Sequence, residues 1–112
     1  MHQVLSSQYK TSSTIGNLNN HIGVPLTLLK IDKDSDFAIV EMGANHIGEI
    51  KFLTNLIKPD VGYITNFGKA HLEGFGGLNG VIKGKTELYN WLLKYNKACL
   101  LYTSDAADDW FC

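Results

Sequence analysis

Two stretches hold the residues best equipped for chemistry. In "EMGANHIGEI" (41–50) the carboxylate of Glu41 closes an apolar run, followed by small residues, the amide of Asn45 and the imidazole of His46. A strand-end carboxylate facing a cleft can hold Mg2+, which takes oxygen ligands and keeps several waters. The plainer reading is a carboxylate that caps the helix beginning near Ile47 or pairs with a lysine. In "NFGKAHLEGFGG" (66–77), His71 and Glu73 sit in a glycine-rich loop, where a histidine can be a metal ligand, a phosphate contact or simply a surface group. His46 and His21 read more readily as surface groups. In "GNLNN" (16–20), Asn17, Asn19 and Asn20 are typical turn residues, able to bond their own backbone.

Gly84-Lys85-Thr86 invites comparison with a phosphate-binding loop. Such a loop needs a further glycine five residues before the Gly of Gly-Lys-Thr, between a strand and a helix start. That position is Asn79, and the tripeptide falls inside an amphipathic stripe, so it is a decoy. Lys85 lies close to the apolar residues of that stripe; a partly buried lysine there needs an anionic partner or a modification.

The elements that must position these residues follow from apolar periodicity. Met1, Val4 and Leu5 have helical spacing without a visible start. Pro25 suits the first turn of a short helix over Leu26, Leu28, Leu29 and Ile31. "DFAIVEM" (36–42) and "VGYIT" (61–65) are continuous apolar runs, the signature of strands buried on both faces. "IGEIKFLTNLIK" (47–58) sets Ile50, Leu53, Leu56 and Ile57 on one helical face, and 78–95 carries Leu78, Val81, Ile82, Leu88 and Leu92 as another. The alternation predicts an α/β fold, a partial parallel sheet with flanking helices. Ligands of such sheets sit beyond the carboxyl ends of the strands, the position of both polar loops. A shared site is therefore expected.

The bulk properties exclude other classes. With 112 residues, 10 Lys+Arg against 11 Asp+Glu and a net charge of −1, the chain suits one small domain without the basic footprint of a nucleic-acid or membrane-surface binder. No apolar run approaches the ~20 residues needed to span a bilayer. Both cysteines fall in the last 14 residues and form no C-x-x-C pair, consistent with a reducing, cytoplasmic setting. "CLLYTSDAADDWFC" (99–112) has no sustained period and resembles a translated sequencing adapter, so residues 99–112 are read as a non-native tail. The alternative is a third strand, "ACLLY", followed by an acidic turn.

"GNLNNHIGVPLTLL", "VEMGANHIGEI" and "TNFGKAHLEGFGGLNGVIKGKTEL" resemble the central ATP-binding domain of the Mur ligases, in the family's order and spacing and over about residues 1–98. The resemblance implies an ATP-dependent amide-bond-forming ligase of peptidoglycan precursor synthesis, acting through an acyl phosphate. The double-Asn segment and "EMGANH" are most like the branch that adds D-Ala-D-Ala to UDP-muramoyl-tripeptide, a monomer when full length. Carried over by position, Glu41 matches the family's Mg2+-binding glutamate and His71 the histidine that helps hold a second Mg2+. Lys85 matches the lysine that many members carry as a carbamate. Asn17, Asn19, Asn20, Asn45 and His46 fall in motifs expected to face substrate. The family's phosphate loop would stand upstream of residue 1, so the chain is expected to be an inactive fragment. Two alternatives stay open: another Mur or folylpolyglutamate-type ligase, and a non-catalytic α/β binding domain in which Glu41 and His71 merely cap helices.

Overall fold

A computed structural model describes residues 2–64, 78–101 and 110–111. The chain divides into two compact units, Met1–Gly43 and Ala44–Cys112.

In the first unit, helix α1 (His2–Ser6) precedes strand β1 (Thr11–Ser13), helix α2 (Gly23–Leu29) and strand β2 (Phe37–Ile39). β1 and β2 pair in parallel, Thr11 opposite Phe37 and Ser13 opposite Ile39. Parallel neighbours need a crossover, and α2 supplies it. The entrance to the sheet is fixed by Asp36, whose N–H donates to the Lys10 carbonyl (2.8 Å) and whose carboxylate accepts the Lys10 N–H (3.0 Å). Tyr9 and Phe37 pack edge to face at 4.9 Å. Val24 and Thr27 form the buried side of α2, and the Thr27 hydroxyl donates to the Gly23 carbonyl at 3.0 Å. β1 is absent from the apolar pattern because "TSS" has none; its pairing rests on backbone geometry.

In the second unit, helix α3 (Glu49–Ile57) leads to strand β3 (Val61–Tyr63), and helix α4 (Leu78–Lys94) to strands β4 (Ala98–Leu101) and β5 (Trp110–Phe111). β3 and β4 are parallel, with Val61 opposite Ala98, and β5 adds antiparallel to β4. The "ACLLY" segment thus begins as a strand. Ile50, Leu53 and Thr54 of α3 and Leu88 and Leu92 of α4 are buried. Gly62 lets α4 close on β3: a Cβ there would lie 2.5 Å from Leu92 Cδ1 and 3.1 Å from both Leu88 methyls. Both helices end on a left-handed residue, Lys58 (φ 53°) and Asn96 (φ 56°), that turns the chain into the next strand.

The expected α/β architecture is present, with two differences. Phe37 and Val61 are 42% and 54% exposed, so β2 and β3 are not buried on both faces: pairing with neighbouring strands covers a strand's edges, and only packed elements cover its faces. Leu56 and Ile82 are 42% and 41% exposed, although both lie on the apolar stripes, and Thr54 is buried in α3 instead. As expected, Gly84-Lys85-Thr86 lies within α4, where the Thr86 hydroxyl donates back to the Lys83 carbonyl at 3.0 Å.

Candidate functional site

Glu41 stands two residues beyond the carboxyl end of β2, and "GNLNN" leaves the carboxyl end of the neighbouring β1. Because the strands are parallel, both segments emerge on the same edge, the position where open α/β sheets bind ligands. The Thr14 N–H donates to the Ile39 carbonyl (3.0 Å), extending the ladder past β1. The Glu41 N–H then donates to Thr14 Oγ1 (2.9 Å) and the Gly43 N–H to the Asn19 carbonyl (2.7 Å). The contact is close: a Cβ on Gly43 would sit 2.8 Å from Asn19 Nδ2, so a larger residue would displace the Asn19 amide.

The Glu41 side chain is exposed, and its carboxylate has no hydrogen-bond or ion-pair partner among the described residues. That is the donor class Mg2+ prefers: one or two carboxylates, with waters and substrate phosphates completing the octahedron. No group of three or more His, Cys, Asp or Glu side chains gathers among the described residues, which this mode of binding does not need. A lone carboxylate of this kind is compatible with a magnesium ion whose other ligands are waters and a substrate phosphate.

Other candidates are placed differently. Asn17 supplies its carbonyl to the Asn19 N–H (2.8 Å). Asn20 caps α2, its Oδ1 accepting the Ile22 (3.1 Å) and Gly23 (2.8 Å) N–H groups. Asn45 and His46 belong to the N-terminus of α3: Glu49 Oε1 accepts the Asn45 N–H at 2.9 Å and meets His46 Nδ1 at 3.1 Å. Burial acts to raise the Glu49 pKa, but the Asn45 N–H and the side chain and N–H of His46 outweigh it, and the carboxyl sits below its ordinary value. His71 lies outside the described residues, as does the Lys85 side chain, although Lys85 itself is part of α4.

Two carboxylates meet the N-terminus of α3, Glu49 and, unforeseen, Glu87. From α4, Glu87 accepts the Gly48 N–H on both oxygens (3.1 and 2.9 Å) and the Lys51 N–H on Oε1 (3.1 Å). Tyr89, two residues on, accepts the Ile64 N–H at 3.0 Å, at the carboxyl end of β3. Burial of its hydroxyl is the main cause of a raised pKa. Glu49 has a local signal, an acid in the first turn of an amphipathic helix; Thr14, Glu87 and Tyr89 act across long sequence separations and have none. A cleft of about 340 Å³ also opens in the first unit, lined by His2, Ser12, Ile15, Leu18, Thr27 and Lys30 among others. Glu41 is not among the residues that line it.

Comparison with known proteins is consistent with this geometry. Residues 1–111 match the Mur ligase middle domain. Over 97 residues the chain is 46% identical to the UDP-N-acetylmuramoyl-tripeptide–D-alanyl-D-alanine ligase of Haemophilus influenzae, covering 87% of this chain and 21% of that protein. A crystal structure of MurF from Acinetobacter baumannii superposes with a TM-score of 0.76 at 44% identity, over 80% of this chain and 20% of that one. The structure of MurF ligase from Thermotoga maritima in complex with ADP gives a TM-score of 0.75 at 26% identity, over 94% of this chain and 29% of that one. The chain thus spans about a fifth of the length of the curated relatives it matches.

Proposed function

The chain belongs to the Mur ligase family, as a middle domain, and from that premise we propose that it is part of a cytoplasmic, ATP-dependent ligase joining D-alanyl-D-alanine to a UDP-N-acetylmuramoyl-tripeptide. The observation that carries this reading is the likeness to tripeptide–D-alanyl-D-alanine ligases over most of the chain. The Glu41–Gly43 segment and the asparagine loop, joined by hydrogen bonds at one sheet edge, support it.

In the proposed reaction ATP phosphorylates the tripeptide carboxylate to an acyl phosphate. The amine of D-Ala-D-Ala attacks its carbonyl carbon, the C–O bond to phosphate breaks, and ADP and phosphate are released. Such chemistry depends on positioning and on fixed charges more than on covalent help. Bound Mg2+ would neutralise charge on the transferring phosphoryl group. Glu41 would hold it, with His71 at a second ion and Lys85, as a carbamate, supplying anionic oxygens. Glu41 is suited to this role because its backbone is fixed at the sheet edge while its carboxylate has no partner among the described residues.

The 112-residue polypeptide alone is proposed to be inactive, since its Gly-Lys-Thr is helical and cannot cradle a phosphate. Residues 99–112 are proposed to be a non-native tail, which reading the continuous genomic frame tests directly. For the activity, residues 2–98 can replace the corresponding segment of the Haemophilus influenzae ligase. The hybrid is expected to release ADP only when both tripeptide and D-Ala-D-Ala are present. Glu41→Gln in it should lower kcat on the order of 100-fold. A folded hybrid without ATP turnover, or one indifferent to Glu41→Gln, overturns the proposal.

A further inference from the structure

We infer that Thr14 is a positioning residue for Glu41, with Asn19 as a second tie, and that this pair sets where the carboxylate can present itself to a metal-bound phosphate. The inference rests on the reading of Glu41 given above.

The β1–β2 ladder ends at Ser13 and Ile39, where the two chains part. Thr14 keeps them together one step longer: its N–H donates to Ile39, and its hydroxyl oxygen, not a main-chain carbonyl, receives the Glu41 N–H. Two residues later the Asn19 carbonyl takes the Gly43 N–H, and the Asn19 amide packs where a Gly43 side chain would be. The backbone on both sides of Met42 is thus fixed by the loop that follows β1. Glu41 keeps only its side-chain torsions, so its carboxylate sweeps a small volume set by that fixed backbone. Thr14 and Asn19 are half-buried and Glu41 is exposed. Water can satisfy an exposed N–H that loses its protein acceptor, so removing the Thr14 hydroxyl should cost little global stability. Its effect should fall on the geometry of Glu41.

The test compares Thr14→Val, which keeps shape and strand preference but loses the acceptor, with Thr14→Ser, which keeps it. In the 112-residue chain, Thr14→Val should speed amide exchange at Glu41 roughly threefold to tenfold while Thr14→Ser stays near the parent. In the hybrid ligase, Thr14→Val should raise the Mg2+ concentration for half-maximal rate by a similar factor, and Thr14→Ser should restore it. Glu41→Gln is the control. If it leaves the Mg2+ dependence unchanged, the reading of Glu41 fails and this inference with it. If Glu41→Gln shifts that dependence and Thr14→Val does not, the positioning role alone is wrong. Equal losses in Thr14→Val and Thr14→Ser would also overturn it, since they would reflect packing and not the hydroxyl.

Discussion

Replacing Glu87 probes how α4 holds the N-terminus of α3. Its carboxylate accepts two backbone N–H groups, those of Gly48 and Lys51, over 2.9–3.1 Å. These are donors that a helix cannot satisfy internally at its first turn. Loss of a side-chain cap costs about 0.5–2 kcal/mol, and a negative charge at a helix N-terminus adds about 0.3–1 kcal/mol at low salt. Glu87 is half-buried, so screening is partial, and Glu87→Ala should destabilise the second unit by about 1.5–2 kcal/mol. Glu87→Gln keeps an acceptor and comparable helix propensity but loses the charge, so it should cost about a third to a half as much. In thermal unfolding followed by circular dichroism the alanine variant should melt roughly 6–12 °C lower. Amide exchange at Gly48 and Lys51 should accelerate more than at Leu53, which lies deeper in α3. The difference between the parent and Glu87→Gln, which isolates the charge, should shrink as NaCl is raised from 0.05 to ~1 M. If both variants melt within a degree of the parent, or exchange at Gly48 and Lys51 is unchanged, Glu87 does not cap α3 and the reasoning fails.

Gly62→Ala places a methyl 2.5 Å from Leu92, which is fully buried, so it should lower stability by roughly 1–3 kcal/mol, read from a urea midpoint. Pairing it with Leu92→Ala should recover part of that loss. The Glu49 carboxyl is depressed in the folded chain, so its contribution is present above the ordinary carboxylate pKa and is lost as pH falls through the lower folded value. Glu49→Gln should therefore flatten the fall in melting temperature below about pH 4.3 while lowering stability at neutral pH. Ile22 and Leu29, 61% and 83% exposed, are expected to favour self-association; changing both to lysine should raise the concentration at which light scattering still reports a monomer.

Much of the fold is legible because its helices are long enough to show a period. The stripe over 78–95 becomes Leu78–Lys94, and 47–58 becomes Glu49–Ile57, with Ile50, Leu53, Leu88 and Leu92 buried as their spacing implies. What escapes is whatever depends on distant partners. Thr11–Ser13 is a strand because Phe37–Ile39 lies beside it, not because its side chains alternate. Leu56 and Ile82 satisfy a helical pattern yet face outward, since a pattern gives a face but not where the neighbouring element ends. The site divides in the same way. Glu41 stands out as a carboxylate closing an apolar run, whereas Thr14 looks like one more hydroxyl in "TSSTIG". Asn20, in a motif expected to face substrate, also has a structural task that the motif does not announce: its oxygen is engaged with the start of α2.

The hydrogen bond from Glu41 to Thr14 spans 27 residues of chain. Closing a loop of that length costs an entropy equivalent to roughly 3 kcal/mol before any contact is made, and the β1–β2 rungs must form first to offset it. The sheet edge that carries Glu41 should therefore assemble late in folding, after α2 has shortened the effective loop. Substitutions there should speed unfolding while leaving the refolding rate almost unchanged.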